Sequence, residues 1–248
     1  MTFDPFGDFE TQGYLRNVAK EKDPEIVRRL EHSSFATGID DALAQIAKIE
    51  LLSYDDVLAT HKRLFDAVYP WAGQDRLQIA PDIAVSKGKV LFAHPQDIRG
   101  AVQYALQKGR DKEFMKSKPG EVMGYLACGH PFLDGNGRTI MLVHSVLAQR
   151  AGFSIDWAAT SKSDYLTALT RELDSPGEGH LDAYLQGIIR HAVGQDLLAE
   201  HVGRAPGLGG KLVETADVNK VLGKFSEPAL RARYEQQKIQ RRRTQDDA

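Results

Sequence analysis

The sequence predicts a mainly α-helical domain with one short β-hairpin and a distinct C-terminal tail. Three observations predict it. Apolar residues recur at helical spacing along most of the chain. Residues 76–95 break that pattern with β-branched residues on both sides of a Lys-Gly turn. Glycine and proline concentrate just after residue 200, a linker composition.

Taken in order, helical spacing first covers roughly 23–32 and 40–50. In "SYDDVLATHKRLFDAVYP", starting at Ser53, the residues Val57, Leu58, His61, Leu64, Phe65 and Val68 share one helical face. Ser53 with Asp56 three residues later resembles a capping box, Asp standing for Glu, and Pro70 closes the element. "RLQIAPDIAVSKGKVLFAHP" reads as the hairpin, turning at Lys87-Gly88 and stopping at Pro95. A lone hairpin is marginal in water, so it must lean on the helices or await a partner strand. Further helices are predicted over roughly 96–108, 118–129, 138–151, 162–173 and 180–195. "HVGRAPGLGGK" then marks a boundary, which divides the chain into a domain at 1–198, its core at about 50–195, and a tail at 199–248. The tail is expected to be partly helical or disordered. Its arginines Arg241, Arg242 and Arg243 read as a solvated charge run.

The 248 residues carry a formal net charge of −2, which gives no electrostatic case for bulk binding of nucleic acid or a membrane surface. Cys128 is the only cysteine, so no intrachain disulfide forms and a reducing cytosol is the expected setting. The first residues lack the basic start and apolar run of a secretory signal. No stretch has the apolar length of a membrane span, and there is no CxxC or HExxH metal pattern.

The chemistry concentrates in "HPFLDGNGRT", residues 130–139. Gly135-Asn136-Gly137 directly precedes the apolar run Ile140, Leu142, Val143, Val146, Leu147 of a helix. Such a turn accepts positive φ, so backbone N–H groups converge on one concavity, and the helix N-terminus behind it adds partial positive charge. That is an anion hole suited to phosphate. Arg138 adds a fork that matches phosphate oxygens. Asp134 beside the nest would repel a bare phosphate unless a Mg²⁺ bridges the two. His130 titrates near neutral pH and can take a proton from a hydroxyl. Singly, each is an ordinary loop residue, and Phe132 reads as a core anchor. Together they fit transfer of a phosphorus group onto a hydroxyl.

"HPFLDGNGR" resembles the Fic motif with every defined position filled. "HKRLFDAVYPWAGQDR" (61–76), "SKGKVLFAHPQDI" (86–98) and "AGFSIDWAATSKSDYLTAL" (151–169) extend the resemblance to about residues 5–195. It implies a compact helical bundle whose usual activity is moving AMP from ATP to a Ser, Thr or Tyr hydroxyl of a target protein. On that resemblance His130 is the general base and Asp134 the Mg²⁺ ligand. Gly135, Asn136 and Gly137 cradle the phosphates, and Arg138 holds the leaving pyrophosphate. The hairpin around Lys87 and Gly88 becomes a flap that pairs with an extended target segment. Bacterial members are commonly toxins or effectors, cytoplasmic or translocated, and some are held by a small antitoxin supplied in trans.

Two departures qualify what is carried over. Many AMP-transferring members have a second arginine three residues after the first, where this chain has Met141. ATP stays the leading donor; the alternatives are UTP, GTP or a CDP-choline type of nucleotide, or a degenerate binding module. The Doc-type kinase variant has Lys where Gly137 stands, which argues against phosphorylation. The Ser/Thr-x-x-x-Glu-Gly/Asn inhibitory segment of the family is also missing. "SSFATGIDD" near Ser33 and Ser34 resembles it faintly but lacks the glutamate.

Overall fold

Asp23 opens the first helix by accepting the Glu25 N–H at 2.8 Å, with Pro24 in the first turn. The computed structural model describes residues 16–87, 90–206, 208 and 220–246. Helix α1 (Pro24–Lys48) runs unbroken through the segment where the sequence predicts a gap. Ser33, Ser34, Thr37 and Gly38 are weak helix formers, but here packing overrides propensity. Ser34 Oγ donates to the Leu64 carbonyl at 2.6 Å. A Cβ on Gly38 would stand 2.6 Å from the Arg63 carbonyl oxygen, so glycine permits the close approach to helix α2 (Tyr54–Phe65). The predicted capping box of α2 is present, and Val57, His61, Leu64, Phe65 and Val68 are buried.

A short helix α3 (Arg76–Ile79) leads into the hairpin, β1 (Ile83–Lys87) and β2 (Val90–Leu91). Lys87 closes β1, and the other predicted turn residue, Gly88, lies outside the described residues. Helices α4 (Ile98–Arg110), α5 (Lys112–Ser117), α6 (Pro119–Gly129) and α7 (Asn136–Arg150) follow. Nearly all of α6 is buried, flanked by α4 and α7. The predicted helix at 180–195 is shorter than its pattern suggests. After β3 (Phe153–Ile155) and α8 (Lys162–Asp174), α9 (His180–Gln186) stops at Gly187. The chain then forms β4 (Ile189–His191), which pairs antiparallel with β3. Sheet pairing therefore takes residues whose spacing suits a helix equally well. Helix α10 (Leu198–Gly203) completes this part.

Beyond it, β5 (Lys220–Lys224) and α11 (Pro228–Asp246) dock on the hairpin. The hairpin thus gains its partner strand within the chain, in a sheet ordered β2-β1-β5. Arg241, expected in a solvated run, donates to the Leu91 carbonyl at 3.1 Å because α11 lies along the hairpin. The main core gathers side chains from α1 to α10, with Tyr54, Phe65, Phe132 and Trp157 closed off from solvent. Among the described residues no helix is long and apolar enough to cross a membrane. The mainly helical class is the one observed, with two small antiparallel sheets where the sequence predicts a single hairpin.

Candidate functional site

The motif loop joins the C-terminus of α6 to the N-terminus of α7, two buried helices that hold its ends. His130 caps α6 in the left-handed conformation, φ 42° and ψ 60°. Its ring stacks on Phe92, centroids 3.7 Å apart and nearly parallel. Its Nε2 lies 3.1 Å from Asn136 Nδ2. An amide can only donate from nitrogen, so Nε2 carries the lone pair and the ring is neutral and basic there. Phe132, the predicted anchor, is fully buried and stacks on His61 at 3.6 Å.

Asn136 spends its side chain inward. Its amide also donates to Phe132 O at 2.6 Å, and its Oδ1 accepts the Phe132 N–H at 2.9 Å. Only the Asn136 backbone N–H is left to face a ligand. The two glycines divide the remaining work. Gly135 sits at φ 75°, and a Cβ there would meet Phe65 at 2.6 Å and His61 Nε2 at 2.9 Å. No other residue fits that turn. Gly137 is in the first turn of α7, and a Cβ there would meet nothing within 4 Å. The space over the helix N-terminus is therefore open, where unpaired N–H groups and the helix dipole favour an anion.

Arg138 borders this space, only 16% of its side chain exposed, its guanidinium 4.6 Å above the Phe65 ring. Glu31 Oε1 is 2.9 Å away and Asp134 Oδ1 3.9 Å away. Burial disfavours the Arg138 charge, but Glu31 and Asp134 outweigh it and hold the guanidinium protonated. Glu31, on α1, also accepts from Tyr69 Oη at 2.5 Å. Asp134 keeps 41% of its side chain exposed, yet the protein packed around it and the nearby Glu31 push its carboxyl up to about 7. Its Oδ1 accepts the Gly135 N–H at 2.6 Å. Among the described residues no group of three or more His, Cys, Asp or Glu forms a ready metal cage. A single carboxylate at the mouth of an anion nest suits Mg²⁺, which commonly takes one or two carboxylates and completes its shell with phosphates and water.

The structure thus gathers His130, Asp134, Gly135, Asn136, Gly137 and Arg138 in one loop and the first turn of α7. Lys87 lies on the hairpin, which touches the motif through Phe92 and the Ala93 N–H bonded to Cys128 O at 2.9 Å. Met141 is 8% exposed and belongs to the main core.

Two residues escape the sequence reading. Glu31 is one: it falls in the helix predicted at 23–32, but nothing local links it to Arg138. The other is Arg76, fully buried, whose Nε donates to His130 O at 2.8 Å and Nη2 to Ala93 O at 2.6 Å. Burial lowers its pKa to about 10, still charged at neutral pH. Asp75 and Gln78 form the capping box that places it, a pattern visible in "DRLQ".

A profile of the Fic/DOC family matches residues 51–148. The protein adenylyltransferase VbhT of Bartonella schoenbuchensis is 28% identical over 225 residues, covering 88% of this chain and 45% of VbhT. This chain therefore spans about half the length of that relative. The probable protein adenylyltransferase y4lH of Sinorhizobium fredii is 27% identical over 166 residues, 63% of this chain and 82% of y4lH. Among solved structures, a Bartonella quintana Fic domain with bound ADP superposes with a TM-score of 0.57 at 21% identity, over 73% of this chain and 92% of that one. The effector BepC of Bartonella tribocorum with bound AMPPNP gives 0.55 at 18% identity, over 71% of this chain and 91% of that one. Residues 51–148, which hold the hairpin and the whole motif loop, are the part of this chain that is similar to the Fic/DOC family.

Proposed function

We propose that this chain is a protein adenylyltransferase that moves AMP from ATP to a Ser, Thr or Tyr hydroxyl of a target protein. The observation that carries this reading is a neutral histidine held beside an open helix N-terminus. His130 is fixed by Phe92, Arg76 and Asn136, and Gly137 leaves the anion space clear. The adenylyltransferases VbhT and y4lH among its relatives support the choice of chemistry. The target oxygen attacks the α-phosphorus and gives its proton to His130 as the bond to pyrophosphate breaks. Arg138 and the α7 N–H groups take up charge on the phosphates. Asp134 is the residue that would hold Mg²⁺, which supplies neutralisation of phosphate charge when bound. The hairpin whose strand β1 ends at Lys87 is the surface against which the target segment is laid.

A second reading of the donor rests on Met141. One turn beyond Arg138, α7 presents a buried thioether and no second cation to a γ-phosphate. UTP, GTP and a CDP-choline type of donor belong in the same assay. The same reading extends to a toxin or effector acting in a bacterial cytosol or in a cell reached by translocation, with an antitoxin as partner in trans. Incubation with each nucleotide, labelled on the group to be transferred, and a cell lysate tests the reaction. ATP should label a discrete protein. Labelling by another donor alone would replace AMP, and labelling by none would overturn the transferase reading.

A further inference from the structure

Strand β1 has two edges, and both are filled. β2 takes one, and β5 takes the other with Ser86 opposite Lys220, Val85 opposite Val221, Ala84 opposite Gly223 and Ile83 opposite Lys224. Just beyond β5, Phe225 is 3% exposed and joins Ala84, Leu91 and Tyr234 in a cluster separate from the main core. The Phe225 N–H donates to Asp82 O at 2.7 Å, and Ser226 donates to the Asp82 carboxylate through N–H at 2.7 Å and Oγ at 2.6 Å. Helix α11 continues the attachment. Tyr234 Oη and Lys238 Nζ both donate to Asp97 Oδ2, at 2.9 and 2.7 Å. Gln237 accepts the Leu91 N–H at 3.2 Å.

This strap grips a hairpin that lies directly against His130, through the Phe92 stack and the Arg76 clamp. A strand edge pairs with any extended chain through main-chain hydrogen bonds, with little demand on side chains. We propose that β5 occupies in cis the edge that a target segment must pair with, so that β5 has to lift before a target is modified. The consequence for activity rests on the transferase reading; the occupancy itself rests on the pairing. β5 is short, its ladder is broken by a register shift between Ala84 and Val85, and Gly223 sits at φ 150° inside it. Bulges and interior glycine weaken a strand, which suits a pairing that must come apart.

Two full-length proteins test this. Ser86→Cys with Lys220→Cys joins two directly paired positions, whose spacing in an antiparallel ladder is compatible with a disulfide, and locks β5 down on oxidation. Phe225→Asp removes the strap's apolar anchor without touching the main core. Each is assayed for anisotropy of a fluorescent peptide copying residues 219–227 and for labelling of lysate protein. The peptide should bind Phe225→Asp and not the oxidised pair. Labelling should rise about tenfold in Phe225→Asp if the strap is closed about nine-tenths of the time. It should vanish in the oxidised pair and return on reduction. Peptide binding equally to locked and released protein, or to neither, would overturn the proposal, as would locked protein that labels as fast as reduced. If no form labels any protein while the peptide still discriminates, the transferase reading fails and the occupancy stands. Should Phe225→Asp lose its helical circular dichroism, comparison of the oxidised and reduced pair decides alone.

Discussion

Glu31 and Arg138 form an ion pair in which each partner has an alternative. Phosphate competes with Glu31 for the guanidinium, and Tyr69 already shares the Glu31 carboxylate. Replacing Glu31 with Gln keeps the shape and removes the competing charge. Nucleotide binding should therefore tighten, by up to about tenfold if the charge-assisted contact given up is worth ~1.5 kcal/mol. Calorimetry with ATP measures it, and unchanged affinity would mean that Arg138 does not meet the phosphates. At His130 the expectation runs the other way. His130→Ala should lower labelling by about 10²–10⁴-fold, the usual contribution of a positioned base, while nucleotide affinity changes little. Arg76→Lys tests positioning. Lysine keeps the charge but cannot bridge His130 O and Ala93 O with one planar fork, so kcat should fall while nucleotide affinity holds.

At the level of elements, the contact between α1 and α2 decides where Glu31 stands. Gly38 and Ser34 set its closeness, since a Cβ at 38 has only 2.6 Å to the Arg63 carbonyl oxygen. Gly38→Ala is a helix-favouring change on local propensity, worth up to about 1 kcal/mol. Here the clash is with backbone, which moves only by separating the helices, and overpacking of that kind costs about 1–3 kcal/mol. The second term wins. Chemical denaturation should show a net loss of stability, and nucleotide affinity should change too, because Glu31 shifts with α1. A gain in stability would show that α1 moves freely against α2.

Across the whole molecule, two buried histidines couple stability to pH. His61 donates its Nε2–H to Asp134 O (3.1 Å), accepts the Gly73 N–H at Nδ1, and has its pKa lowered to about 3, chiefly by burial. His144 bonds Pro119 O at 2.8 Å through Nε2, and burial lowers it to about 4. Both are neutral in the fold, whereas the unfolded chain takes up protons below about 6.5. At these two groups the unfolded state binds more protons in this range, so each lowers stability as pH drops from about 6.5 toward 4, while Asp134, raised to about 7, and Asp182, raised to about 6, act in the opposite direction. Each group contributes at most ~1.4 kcal/mol per pH unit. His144→Gln can still donate to Pro119 O but does not titrate, so between pH 7 and 5 its urea midpoint should fall less, or rise more, than that of the wild type. An unchanged slope would assign the acid sensitivity elsewhere.

The local geometry of residues 130–139 was legible in the chain because every group sits within ten residues, and it follows from glycine and a helix start. The capping box at Ser53 was legible for the same reason. What tertiary structure alone decided are the long-range choices. The junction at 33–38 became helix because Gly38 could touch α2. Residues 189–191 became a strand because β3 offered an edge. Glu31 met Arg138, Arg76 met His130, and β5 found β1, all across distances over which sequence spacing carries no information. Hydrogen-bonding groups and buried charges must find partners wherever the packed chain brings them together, and that is settled by the whole fold rather than by neighbours along the chain.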